Sequence, residues 1–201
     1  MPGSVSAYRR FIASTRGVAA IEFAMILPVM LLLLLSTFDV GNAIAVYMKV
    51  RSATFVMAAI TNQYTQNTPI QSADMTAITG ATSAVLAPYS SSPVVVVISQ
   101  VYVSAPGQTT ATVDWSATLN GTAYAKGSSV TLPAAIVSST NTCTPVTGYP
   151  CYLILSQVSY TYTPLFGAFG IGITLSDSEY VTPRSYTCVP YVPQTTTCDA
   201  P

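Results

Sequence analysis

RGVAAIEFAMILPVMLLLLLSTFDVGNA, Arg16 to Ala43, is the stretch that decides the architecture. Its run from Val18 to Phe38 holds 21 residues and a single charge, Glu22. As a helix rising 1.5 Å per residue, that length reaches about 31 Å, one hydrocarbon thickness. The flank before it carries Arg9, Arg10 and Arg16 and no acid. Basic flanks stay on the cytoplasmic side, so the expected topology is one span with its N-terminus inside and the rest exported.

A cleaved signal peptide is the competing reading. Ala43-Ile44-Ala45 offers a small-x-small cleavage pattern. A signal's apolar region is about 7–15 residues long, shorter than this one. A cut after Ala45 would also fall six residues beyond Asp39. A retained or specially processed helix is therefore expected.

Glu22 is the odd residue of the span. A carboxylate at the centre of a membrane helix costs about 2.5–3.5 kcal/mol, and less near the interface. Solvation among the cytoplasmic headgroups is one solution. The other begins at Gly17: a cut after it would give Val18 a free α-amino group. Val18 precedes Glu22 by four residues, so the two share a helix face. The amine of the same chain or of a neighbouring subunit would then neutralise the acid. Pro28 removes one backbone bond, which costs ~3 kcal/mol in water. Membrane helices tolerate this, so it marks a bend rather than an end.

Beyond Asp39 the pattern changes to an amphipathic one. Val46, Val50, Ala53, Met57, Ile60 and Tyr64 recur at alternating spacings of four and three, with Lys49, Arg51 and Ser52 off that seam. One long helix is expected to about Asn62, its second half packed on an exported domain or a partner.

These residues resemble the N-terminus of TadE-like minor pilins, or pseudopilins, of tight-adherence (Flp-type) pilus systems. Their pattern is a basic leader, Gly, a few small or aliphatic residues, Glu-Phe or Glu-Tyr, then a long apolar helix often carrying Pro. Gly17, Glu22, Phe23 and Pro28 fill those places here. The resemblance covers about the first fifth of the chain. A softer one touches Ser159 to Leu165 and Ile173 to Ser185. It implies cleavage between Gly17 and Val18 by an inner-membrane prepilin peptidase. It implies a structural role, with Glu22 setting helix register among subunits. Other pilins and pilus assembly-platform proteins would be the partners, together with the lipid bilayer. The setting implied is the bacterial inner membrane, with the C-terminal domain periplasmic or extracellular.

The remainder reads as helix, then sheet. Ser72 is placed to cap a second helix from Ala73 to about Leu86, stopped by Pro88. Val94 to Ser104 is rich in β-branched residues, and Ala105-Pro106-Gly107 follows as a turn. Thr109 to Leu119 alternates and ends at Asn120-Gly121, a hairpin-type signal. Thr122 to Ala125 and Ser129 to Leu132 are weaker strand candidates. Cys151 to Leu165 is the longest late one, and Ile171 to Leu175 with Tyr180 to Thr182 completes a sheet. The class is α+β: a long transmembrane and amphipathic helix followed by a mainly antiparallel β exported domain. The boundaries drawn are a basic leader (1–17), the helix (18–62), a linker with the second helix (63–92) and a β-rich domain (93–201).

Cys143, Cys151, Cys188 and Cys198 all follow the span, and an even count in an exported segment reads as disulfides. Three connectivities are possible. Local pairing would close short loops, with about 2–3 kcal/mol each. Zinc is not expected, since no C-x₂₋₄-C spacing occurs.

Composition narrows the chemistry. Charged residues are 7% of the chain, against ~25% in a typical domain. Hydrophobic residues reach 50%, while 22 Ser and 27 Thr take the polar role, so the low charge does not mean disorder. A net charge of +0 with no Lys/Arg run argues against nucleic acid. No histidine is present, which rules out His-based triads and His-ligated metals. Lys126 near Ser128 and Ser129 is the nearest thing to a nucleophile–base pair, and it sits on a Gly-Ser-Ser turn. No catalytic residue, metal site or cofactor is assigned. The alternative to a pilin is a secreted or anchored adhesin or envelope protein binding through a sheet rich in Tyr and Thr.

Overall fold

A computed structural model of the chain describes residues 16–89, 94–137, 150–166, 172–185 and 187–194. They form an α+β protein. Helix α1 (Arg16–Thr61) and helix α2 (Ser72–Leu86) precede strands β1 (Val94–Val103), β2 (Thr110–Leu119) and β3 (Ser129–Thr131). A short helix α3 (Ala134–Val137) leads to β4 (Cys151–Tyr162) and β5 (Ile173–Val181). The chain divides into two compact units. One is Met1–Ala43 with Thr163–Ile171, and the other is Ile44–Tyr162 with Gly172–Pro201.

Helix α1 is one element of 46 residues and runs through Pro28. Leu, Met and Ala dominate the turns around that proline, and their helix propensity helps the element continue. In its part within the second unit, the seam read from the sequence turns inward. Val46, Val50, Ala53 and Met57 are fully buried, and Ala58 joins them. Thr54 and Thr61 are buried too, and each hydroxyl donates to the carbonyl four residues back, at 3.0 and 2.8 Å. Buried hydroxyls are thereby satisfied without leaving the helix. Lys49 Nζ donates to the carbonyls of Ala87 (2.6 Å) and Val85 (3.4 Å), so it caps the C-terminal end of α2.

Helix α2 begins as expected, with a different cap. Gln71 occupies the N-cap, and its backbone N–H donates to Asp74 Oδ2 at 2.9 Å. Ser72 is already the first helical residue. The acid reaches back to the orphan donor, as in a capping box. Met75, Ile78, Thr79, Thr82 and Leu86 form the buried face, and α2 lies against β2.

The sheet has the order β3-β2-β1-β4-β5, and each neighbouring pair is antiparallel. Strand β1 is central, and a β-branched run suits a site flanked on both sides. It pairs with β4 from Val94↔Tyr160 to Val103↔Cys151. The β1–β2 ladder shifts register between Gln100 and Val101. One face carries a cluster of Val101, Val103, Ala111, Val113, Leu153 and Leu155, against which Ile136, Val137 and Tyr180 pack. On the other face Val94, Val96, Ile98, Trp115 and Ile154 are buried.

Several expectations are corrected. Thr122 to Ala125 forms no strand. Asn120 does take a left-handed φ of 58°, and its Nδ2 donates to Val94 O at 3.1 Å. The turn then opens a longer connection, because β3 pairs with the opposite end of β2, at Thr110–Thr112. The two short strands expected at 171–175 and 180–182 are one continuous β5, since β4 offers it an unbroken ladder. Asp177 and Glu179 lie on this edge strand, where charges discourage edge-to-edge pairing. Strand β4 stops at Tyr162, short of Leu165. Pro164 has no N–H to continue the ladder, and the next two amides bond elsewhere.

Candidate functional site

The N-terminal part of α1 carries the sequence features of interest. Residues 17 to 34 are all exposed along the helix, including Ile21, Phe23, Ile26 and the leucines from 31 to 34. The helix is long and apolar enough to cross a membrane. Gly17 and Val18 lie in its first turns, and a Cβ built at Gly17 would meet nothing within 4 Å. Glu22 is exposed one turn after Val18, and Phe23 and Pro28 follow on the open helix. Val18 and Glu22 are four residues apart on one helix face, and both are exposed.

The end of the apolar run is built differently. Asp39 is 8% exposed, whereas Phe38 before it and Val40 after it are more than half exposed. Its Oδ1 accepts the backbone N–H of Leu165 at 3.1 Å and that of Phe166 at 3.4 Å. The ring of Phe166 meets Phe38 edge-on, with centroids 5.8 Å apart and planes at 70°. Directly before Phe38, Thr37 Oγ1 donates to Leu33 O at 2.7 Å, so its hydroxyl is satisfied within the helix. In the sequence Asp39 does no more than end the apolar run. Its placement directly after Phe38 was the one available signal.

The second unit holds a buried polar chain centred on Gln100. Gln100 Nε2 donates to Asp114 Oδ2 at 2.7 Å, and its Oε1 accepts the N–H of Val189 at 2.6 Å. Trp115 Nε1 donates to Val189 O at 2.7 Å, and its ring lies 5.5 Å from that of Tyr191. Gln194 holds the main chain of Ser116 through both ends of its amide, at 3.1 and 2.8 Å. Ile70 pairs with Tyr191 as an isolated parallel bridge. A C-terminal strap is thus sewn to β2 and to the start of α2. Lys126 Nζ lies 3.4 Å from Asp114 Oδ1. The Ser128 hydroxyl donates to Ala125 O at 2.6 Å. The lysine faces a carboxylate and the serine a carbonyl, so these two do not form a nucleophile–base pair.

Cys151 and Cys188 are buried and disulfide-bonded. Cys143 and Cys198 lie outside the described residues. Among the described residues no group of three or more His, Cys, Asp or Glu side chains is placed to hold a metal ion.

An N-terminal helix compatible with single-pass membrane anchoring, the one such helix among the described residues, continued by an antiparallel sheet domain, is the class of protein these features define. Residues 17–58 match the family model described as TadE-like protein, a family connected with Tad pilus assembly. The match begins at Gly17, takes in Glu22, Phe23 and Pro28, and ends three residues before the end of α1. Neither the curated proteins nor the solved structures hold a significant match to the chain.

Proposed function

We propose that the chain is a minor pilin, or pseudopilin, that helps assemble a tight-adherence pilus, and that its role is structural rather than catalytic. The observation that carries this reading is the family match over residues 17–58, which covers the open helix bearing Gly17, Val18 and Glu22. A prepilin peptidase of the bacterial inner membrane cuts between Gly17 and Val18. The new amine pairs with Glu22, in the same chain or the next. Ionic complementarity of that kind selects register and partner more than it adds stability. The exposed apolar run from Val18 to Phe38 then packs with the helices of other pilins or of the assembly platform. The domain after it is periplasmic or extracellular. The four cysteines brace that domain.

The mass of the mature N-terminus in native membranes tests the proposal. A chain beginning at Val18 supports it. One beginning at Val46 would indicate ordinary secretion, and an intact Met1 would indicate a plain anchor. Either of those overturns the processing step.

A further inference from the structure

We infer that Leu165 and Phe166 form a lipid-facing foot, which enters the outer boundary of the bilayer beside Phe38. The inference rests on reading Val18–Phe38 as a membrane span. It concerns a segment over a hundred residues away in sequence, beyond the family match.

Three observations converge on it. First, Leu165 is 71% exposed and Phe166 is 51% exposed, beside Phe38 at 55%. They make a contiguous apolar patch where such side chains would ordinarily be withdrawn from water. Second, the patch is continuous with the span. Phe38 is its last residue, and the Phe166 ring stands 5.8 Å from it. If Phe38 lies at the edge of the hydrocarbon, Phe166 lies there too, and aromatic rings favour that level. Third, the backbone has been prepared for a dry setting. Exposed amides are costly in lipid unless they are bonded. Here the amides of both residues are taken up by Asp39 Oδ1. Pro164 has no N–H to satisfy. The sequence from Thr163 to Ile173 contains no charged residue, so no charged side chain in it opposes insertion.

The carboxylate has a second effect. Asp39 follows the span directly, where an acid without partners would hold the helix end out in water. Two charge-assisted bonds offset part of its hydration. The acid and the apolar foot therefore permit each other at the interface: the acid satisfies the foot's amides, and the amides temper the acid.

The test uses the full chain in vesicles of phosphatidylcholine brominated near the top of the acyl chains. Phe166→Trp and Phe38→Trp are compared, with the emission of the unaltered protein, from Trp115, as the baseline. The foot predicts quenching of Phe166→Trp that reaches at least about half that of Phe38→Trp, as expected for rings at one level. Asp39→Ala in the Phe166→Trp background should reduce that quenching, and Leu165→Trp should reproduce it. Quenching of Phe38→Trp without quenching of Phe166→Trp or Leu165→Trp overturns the foot and leaves the span intact. Failure of both Phe38→Trp and Phe166→Trp to respond overturns the span reading and the foot with it. Blue-shifted emission at residue 166 that ignores the brominated lipid would mean a protein covers the patch, which also overturns the proposal.

Discussion

The carboxylate of Asp39 accepts the backbone N–H of Leu165 at 3.1 Å, across 126 positions of sequence. The bond ties the segment after β4 to the last turn of the apolar run. It explains why an acid directly after a membrane-length helix is 8% exposed.

Asp39→Ala should therefore loosen the segment from Thr163 to Phe166. A hydrogen bond to a charged group contributes about 1.5–3 kcal/mol. Discounted for the exposure of Leu165 and Phe166, the loss should be about 1 kcal/mol, local rather than global. Amide exchange at Leu165 and Phe166, read by mass spectrometry in a membrane mimetic, should accelerate by about fivefold to tenfold. Asp39→Asn keeps an acceptor oxygen and should show a smaller effect.

Glu22→Ala is expected to leave the protein inserted but impair pilus assembly. A register preference of about 1.4 kcal/mol corresponds to a tenfold change in selectivity. Pilus yield should then fall by at least about that factor, while the amount of protein in membranes holds steady. Undiminished pili on cells expressing the variant would remove Glu22 from the assembly role.

Gln100 should matter more to folding than an ordinary buried amide. Gln100→Ala opens a cavity and takes away the acceptor of the Val189 N–H, with an expected cost of about 2–4 kcal/mol. Trp115→Phe forfeits the bond to Val189 O and part of the ring contact with Tyr191, and about 1–2 kcal/mol is expected. Urea unfolding followed by near-ultraviolet circular dichroism measures both. The two changes share Val189, so the double variant should fall short of the sum.

Gly121 has little room for a side chain. A Cβ there would stand 2.5 Å from Val95 Cγ1 and 3.0 Å from Thr118 Oγ1. Valine is stiff at χ1, and Val95 is held in β1, so the methyl group cannot readily be moved aside. Gly121→Ala should destabilise the domain by about 1–3 kcal/mol, visible as a lower urea midpoint.

Alkaline pH should weaken the second unit. Tyr180 has its pKa raised by burial and then by Tyr124, and Tyr160 by burial and then by Tyr89. Both phenols are neutral below their unfolded value of 10, so their full contribution is present there. Above it the unfolded state releases protons first, and stability falls as pH rises through the folded values. Ultraviolet titration should reveal a fraction of tyrosines ionising later than free tyrosine, and this fraction should shrink on unfolding.

Much of the architecture was legible because its causes are local. A run of apolar residues long enough for a bilayer, with a helical seam at Val46, Val50, Ala53 and Met57, is written in consecutive positions. So are the β-branched strands and the turn at Gly107, whose φ of 77° suits a residue without Cβ. The strand ends were less legible. The continuity of β5 depends on the ladder β4 presents, and the fate of the Asn120-Gly121 turn depends on which end of β2 accepts β3.

What the residues determined alone was the membrane-length apolar helix, the seam and the class of fold, since periodicity and length act within one element. The pairing of Asp39 with Leu165, and of Gln100 with Val189 across 89 positions, was decided only by the tertiary structure. Each is a polar group whose partner is a main-chain N–H. Every non-proline residue offers that donor, so no side-chain pattern announces which one will be chosen, and only folding brings the two within bonding distance.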